Sequence, residues 1–193
     1  MTEQPLLILD VDGVILDFVS SFSKYMKDLG FKQNLDSKQD DWYMRDWFLT
    51  DDGDTVDPKD YVTEFSSKPR YIEPLSGAYH LRSFLGYAKG LDYKVITLSA
   101  CSKVWEESRV SQLDGMFPNL IDDHHIIGNY FTKHDYIKEF LHHDKRILVE
   151  DNWDNAISCS SVADSYLFNR SYNITFGDND KIKRINMWRE IEL

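Results

Sequence analysis

Residues 6–9, Leu-Leu-Ile-Leu, form an apolar run without alternation, and the run stops on Asp10-Val11-Asp12-Gly13. A half-exposed strand alternates apolar and polar side chains. An unbroken apolar run reads instead as a strand covered on both faces, as in a parallel sheet flanked by helices. Asp10 and Asp12 then stand at the carboxyl end of that strand. Two carboxylates so close repel each other unless a cation or a proton separates them. Gly13 lets the chain leave the sheet sharply. One short stretch thus predicts both an α/β architecture and a chemically loaded strand end.

The same grammar returns along the chain. "YKVITLSA" (93–100), "HHIIG" (124–128), "RILVED" (146–151) and "SYLFN" (165–169) read as further strands. Residues 17–29, 77–88, 102–113, 134–142 and 153–162 read as helices. A closing helix over roughly 178–190 is expected from the spacing of Ile182, Ile185 and Trp188. Strands alternating with helices predict a doubly wound parallel sheet. The connection from the first strand to 93–100 runs about eighty residues, far beyond a common crossover. Its stretch 31–73 is polar, aromatic and acidic. The expected organisation is a Rossmann-like core of residues 1–16 and 74–193, with a small helical cap, 17–73, inserted after the first strand. That cap would cover the sheet edge where open α/β folds bind ligands.

The net charge of −11 argues against a nucleic-acid polymer as partner, because phosphate backbones need Lys and Arg. It leaves room for a small phosphate ester held through a metal ion. Cys101 and Cys159 lack the spacing of a zinc site or a redox pair and are expected to be free thiols. The start, Met-Thr-Glu-Gln-Pro, has no basic region of a signal peptide, and no apolar run approaches membrane-spanning length. A soluble, cytoplasmic protein without a membrane partner is expected.

Three strand ends carry reactive side chains: Asp10 and Asp12, then Thr97 and Ser99, then Glu150 and Asp151. Lys133 precedes the helix that leads to "RILVED". In a parallel sheet these ends share one edge. The Asp10 and Asp151 carboxylates, with the main-chain carbonyl of Asp12, suit Mg²⁺, which takes few protein carboxylates. Asp-x-Asp-Gly here is not a calcium loop, because the further oxygen ligands and the terminal Glu are missing. Asp10 can act as nucleophile toward a phosphate ester. Asp12 can protonate the leaving alkoxide and later activate water. Ser99 and Lys133 can hold the phosphoryl oxygens.

"DVDGV", "ITLSA", Lys133 and "LVEDNWDNA" together resemble the four motifs of the haloacid-dehalogenase (HAD) superfamily of phosphohydrolases, over nearly the whole chain. Within it, the chain is most similar to the 5'(3')-deoxyribonucleotidases and related bacterial and phage nucleotidases. "DVDGVILDF", "EPLSGAYHLRSFL", "YLFNRSYN" and "RINMWREI" follow one another in that family's order. The resemblance implies Mg²⁺-dependent hydrolysis of nucleoside, above all deoxyribonucleoside, monophosphates through an aspartyl-phosphate. It also implies phosphate binding by Ser99, Ala100 and Lys133.

Two departures leave choices open. The second motif reads Leu-Ser-Ala, so Thr97 competes with Ser99, although Ser99 lies nearer the strand end. The fourth has Glu150-Asp151 where Asp-Asp is common, so Glu150, Asp151 and Asp154 compete for the metal, with Asp151 first. The aromatics Phe18, Trp42, Tyr43, Trp47 and Tyr61 are either a stacking face for a nucleobase or the core of the cap. Two other functions fit the same features: a HAD phosphatase for another small ester such as a sugar phosphate, and a non-catalytic HAD-like binding protein. The expected partner is a small phosphate ester, and a homodimer is allowed.

Overall fold

The computed structural model describes residues 4–38, 40–41, 43–67, 71–128, 130–177 and 179–193. In chain order the elements are β1 (Leu6–Leu9), α1 (Phe18–Asp28), β2 (Lys32–Gln33), β3 (Phe48–Leu49), α2 (Lys59–Phe65), α3 (Ala78–Gly90) and β4 (Lys94–Ser99). There follow α4 (Glu106–Met116), β5 (Asp123–Ile126), α5 (Lys133–Phe140), β6 (Arg146–Glu150), α6 (Trp153–Cys159), β7 (Asp164–Phe168) and β8 (Ile182–Ile185). Among the described residues, six strands form one sheet in the order β5-β4-β1-β6-β7-β8, every neighbouring pair parallel. The chain fills the sheet outward from β1 on one side, through β4 and β5, then crosses to β6, β7 and β8 on the other. Strand β1 therefore borders the point where the strand order reverses, the usual ligand crevice of such sheets.

The unbroken apolar runs are used as their pattern requires. Leu7, Leu9, Val95, Ile147 and Val149 face Leu81 and Leu85 of α3 and Leu113 of α4. Leu6, Ile8, Ile96, Leu98 and Leu148 face the opposite layer, Ile137 of α5 and Cys159 of α6. Burying each such aliphatic side chain contributes about 1.5–3 kcal/mol, so a charge within these runs would be expensive and charges gather at their ends. Cys101 and Cys159 are free thiols. Among the described residues no helix is long and apolar enough to cross a membrane.

The closing helix expected over 178–190 is not formed. Ile182–Ile185 is instead the edge strand β8, followed by a single 3₁₀ turn at Trp188–Glu190. A spacing of three puts Ile182 and Ile185 on one face of a helix but on opposite faces of a strand. The structure uses the second arrangement. Ile182 packs with Ala156 and Leu167, while Ile185 joins Phe168 and Trp188 in the other layer. Pairing with β7 also satisfies backbone groups that a helix would leave bare at the sheet edge.

The inserted segment 17–73 holds α1 and α2 but also an antiparallel ribbon, β2 with β3, so it is not purely helical. Its aromatics pack together: Phe22 meets Phe48 edge-on at 5.9 Å and Phe65 at 5.5 Å. Phe65 and Phe18 both reach Trp105, at 5.5 and 6.3 Å, so the segment's apolar interior continues into the sheet's.

Candidate active site

Register brings the strand ends together. Leu9 is level with Thr97 on one side and Val149 on the other, so Asp10 is the neighbour of Glu150. The Asp10 N–H donates to the Val149 carbonyl at 2.9 Å. Lys133, the first residue of α5, projects to the same place. Thr132 caps that helix by accepting from the Asp135 N–H. The Lys133 ammonium lies 2.6 Å from Asp10 Oδ1 and 2.6 Å from Glu150 Oε2. Burial of the side chain (3% exposed) opposes its charge, but Asp10 and Glu150 outweigh that, and its pKa is raised.

Glu150 and Asp151 have different tasks. Both Glu150 oxygens are occupied: Oε2 by Lys133, and Oε1 by the N–H groups of Asp151 and Asn152 at 3.2 and 3.0 Å. Asp151 Oδ2 accepts from the Tyr172 hydroxyl, whereas Oδ1 is buried without a hydrogen-bond partner among the described residues. Burial raises the pKa of both carboxyls, and the nearby Asp10 charge adds to it. Asp10, Glu150 and Asp151 each offer an oxygen, all within 4.8 Å of one another. An orphaned carboxylate oxygen among clustered hard donors fits a divalent cation such as Mg²⁺. Asp154, the third candidate, is exposed on α6 and outside this group.

The turn after β1 is held by residues from the far side of the sheet. Arg170 Nε donates to the Gly13 carbonyl at 2.7 Å, and Asn173 Nδ2 to the Asp151 carbonyl at 2.7 Å. With Tyr172 they brace the turn and the Asp151 loop against each other. Gly13 has φ +86°, and a Cβ there would meet Asp151 Oδ2 at 1.9 Å and Tyr172 Oη at 2.7 Å. Gly13→Ala therefore carries both a left-handed backbone strain of about 1–3 kcal/mol and a clash. Its thermal midpoint is expected to fall by about 4 °C or more, measured by circular dichroism. An unchanged midpoint would contradict this packing.

A cavity of about 700 Å³ opens over this edge, lined by Asp10, Asp12, Ser99, Ala100, Lys133 and Glu150 at its floor. Ser99 Oγ accepts from the Cys101 N–H at 3.2 Å, leaving its proton to donate. Thr97, the alternative, bonds His124 Nδ1 at 2.8 Å and does not line the cavity.

Of the five aromatics singled out from sequence, Phe18 lines the cavity. Tyr43 is exposed elsewhere, Trp47 lies in the interior of the inserted segment, and Tyr61 packs on Phe31 at 5.0 Å. Trp42 lies outside the described residues. The sequence reading overlooked Trp105 and Tyr130, which do line the cavity, Tyr130 being 84% exposed at its mouth. It also overlooked Arg109, whose Nη2 lies 2.6 Å from Asp12 Oδ1. Burial pushes the Asp12 carboxyl up, against the pull of Arg109 and Lys133.

The sequence matches no protein-family model and no curated protein. Solved structures do match. A protein of Lactobacillus delbrueckii subsp. bulgaricus assigned as a phosphoglycolate phosphatase superposes with a TM-score of 0.62 at 11% identity, covering 98% of this chain and 97% of that one. A Bacillus subtilis protein assigned as the HAD-hydrolase YfnB, described as bound to magnesium, gives 0.57 at 12% identity, covering 98% and 97%. A HAD-superfamily hydrolase from Ehrlichia chaffeensis gives 0.53 at 12% identity, covering 98% and 95%. At such low identity the likeness establishes the fold, which is that of the HAD-superfamily hydrolases.

Proposed function

We propose that the protein is a Mg²⁺-dependent phosphatase that hydrolyses nucleoside monophosphates through an aspartyl-phosphate on Asp10. The observation that carries the phosphatase reading is the buried group of Asp10, Lys133, Glu150 and Asp151, with its orphaned Asp151 oxygen, under a cavity that also holds Asp12 and Ser99. Asp10, Asp151 and the Asp12 carbonyl would hold the ion, which supplies positive charge to the ester phosphate and to the attacking carboxylate. The Asp10 oxygen not held by Lys133 forms a bond to phosphorus as the ester P–O bond breaks. Asp12 gives its proton to the departing oxygen. It then takes a proton from a water that attacks phosphorus, releasing inorganic phosphate and restoring Asp10. Lys133, the Ser99 hydroxyl and the Ala100 N–H stabilise the transferred phosphoryl oxygens.

The nucleotide part of the reading rests on the family resemblance and on Phe18 and Tyr130, two aromatic rings at a cavity large enough for a nucleoside. A second reading, a sugar phosphate or another small polar ester, is favoured by the polar wall of Ser66, Ser67, Asn152 and Asn155. Phosphate release from deoxyribonucleotides, ribonucleotides, ribose 5-phosphate, phosphoglycolate and p-nitrophenyl phosphate, with Mg²⁺, separates them. The highest kcat/KM is expected on a nucleoside monophosphate. A higher value on ribose 5-phosphate or phosphoglycolate would replace the nucleotide assignment, and no release from any ester would end the phosphatase reading. Phe18→Ala is expected to lower kcat/KM for the preferred nucleotide about tenfold, because base–aromatic stacking is worth about 1–3 kcal/mol. It should leave ribose 5-phosphate, which has no base, within about threefold. Equal losses on both would mean that Phe18 serves packing alone.

A further inference from the structure

Arg109 is left unused by the chemistry above, and its surroundings are unusual. Its side chain is 1% exposed, yet Nε and Nη1 are buried with no hydrogen-bond partner among the described residues. A buried guanidinium with unmade bonds is costly, and a well-packed apolar residue would ordinarily serve a core better. Two contacts hold it: the Trp105 ring, 4.3 Å from the guanidinium carbon to the ring centroid, and Asp12 Oδ1 at 2.6 Å. Trp105 and Arg109 lie one helical turn apart at the start of α4, so the ring fixes the plane of the guanidinium. The object so fixed is Asp12, which lines the cavity with its side chain 18% exposed. The carboxylate torsion of an aspartate is broad, and pinning one oxygen determines where the other points.

We propose that Arg109 is a positioning residue: by holding Oδ1 it sets Oδ2 of Asp12 against the leaving-group oxygen, and so fixes how poor a leaving group the protein can expel. This rests on the phosphatase reading. An alkoxide leaves only if it is protonated as the P–O bond breaks, whereas p-nitrophenolate leaves without help. Losing the orientation of Asp12 therefore costs alkyl esters and spares the aryl ester. The quantity to compare is kcat/KM, which ends at the first P–O cleavage and excludes the later hydrolysis of the phospho-enzyme, where Asp12 also acts.

The experiment measures wild type, Arg109→Met, Arg109→Lys, Asp12→Asn and the Arg109→Met/Asp12→Asn double variant on the preferred alkyl phosphate and on p-nitrophenyl phosphate. Arg109→Met is expected to lower kcat/KM about 30- to 100-fold on the alkyl ester and less than about threefold on the aryl ester, within the range of general acid catalysis. KM should stay within about twofold. On the Asp12→Asn background the same change should add less than about threefold, because the two act as one unit. Arg109→Lys, which keeps a cation, should recover part of the alkyl activity.

Methionine fills the arginine's volume and removes the orphaned donors but leaves the Asp12 carboxylate without its cation, so the melting temperature should fall, and the kinetics are compared well below the midpoint of each variant. Equal losses on both esters, or losses that multiply in the double variant, would overturn the positioning role and leave the phosphatase reading standing. If Arg109→Met does not fold, Arg109→Lys decides alone: a selective alkyl loss supports the role, and an equal loss on both esters overturns it. No release by the wild-type protein from any ester would overturn both readings together.

Discussion

Asp10→Asn is expected to abolish phosphate release, by at least about 10⁴-fold in kcat, the scale on which removal of an attacking group is felt. An amide oxygen is a poor nucleophile and cannot carry the phosphoryl group as a mixed anhydride. The substitution is isosteric, and it leaves Lys133 its second partner, Glu150, at 2.6 Å. It also removes one of several mutually repelling carboxylates, so the melting temperature should stay within about 2 °C of wild type or rise. Loss of activity without loss of fold is the signature sought. A second measurement identifies the atom. Wild-type protein quenched during turnover and treated with borohydride should yield homoserine at position 10, because an aspartyl-phosphate is reduced where a free carboxylate is not. Activity above about 1% of wild type in Asp10→Asn, or reduction at another residue, would move the nucleophile elsewhere.

How far such a site can be read from sequence depends on how each residue reaches it. Asp10, Ser99 and Asp151 are carried there by strand register, and the polar ends of the apolar runs fix that register, because a shift would draw a carboxylate into the covered sheet. Lys133 was legible for a similar reason, since it opens a helix that must start at the same sheet edge. Arg109 and Tyr172 were not. Each reaches Asp12 or Asp151 from a distant element by side-chain length alone, and an arginine on a helix ordinarily reads as surface. The stretch that holds Tyr172, "YLFNRSYN", is one of those that carry the family resemblance, but the resemblance gives its tyrosine no role. The inserted segment was the least legible part. Its aromatics read equally as a stacking face or as a cap core; Phe22, Phe48 and Phe65 fill its own interior, Trp47 and Tyr61 lie away from the cavity, and Phe18 lines it. Composition cannot tell a platform from a core. The helix expected at the C-terminus failed because a spacing of three suits one face of a helix and both faces of an edge strand alike.

Removal of divalent cations is expected to lower phosphate release below about 1% of the Mg²⁺-loaded rate, because the charges do not balance without one. Among the described residues, Asp10, Asp12, Glu150 and Asp151 meet two cations, Lys133 and Arg109. With Asp12 holding the proton it donates, one negative charge remains before an ester phosphate brings its own. Burial magnifies the repulsion, and it already raises the pKa of Asp12, Glu150 and Asp151. A dication at the Asp151 Oδ1 position would offset that excess and give a buried oxygen its missing partner. Binding should also be visible without any substrate. A ligand at a hundred times its Kd stabilises a fold by about 2.7 kcal/mol. For a chain of this size that is about 5–10 °C in melting temperature. Mg²⁺ should produce such a rise in chelator-treated protein, and sodium chloride of equal ionic strength should not. Asp151→Asn should lose the rise together with the activity. Asp154→Asn should keep both, because Asp154 lies exposed on α6, outside the acidic group. Full turnover in excess chelator, or a Mg²⁺-induced rise that persists in Asp151→Asn, would show that the cluster is not where the ion acts.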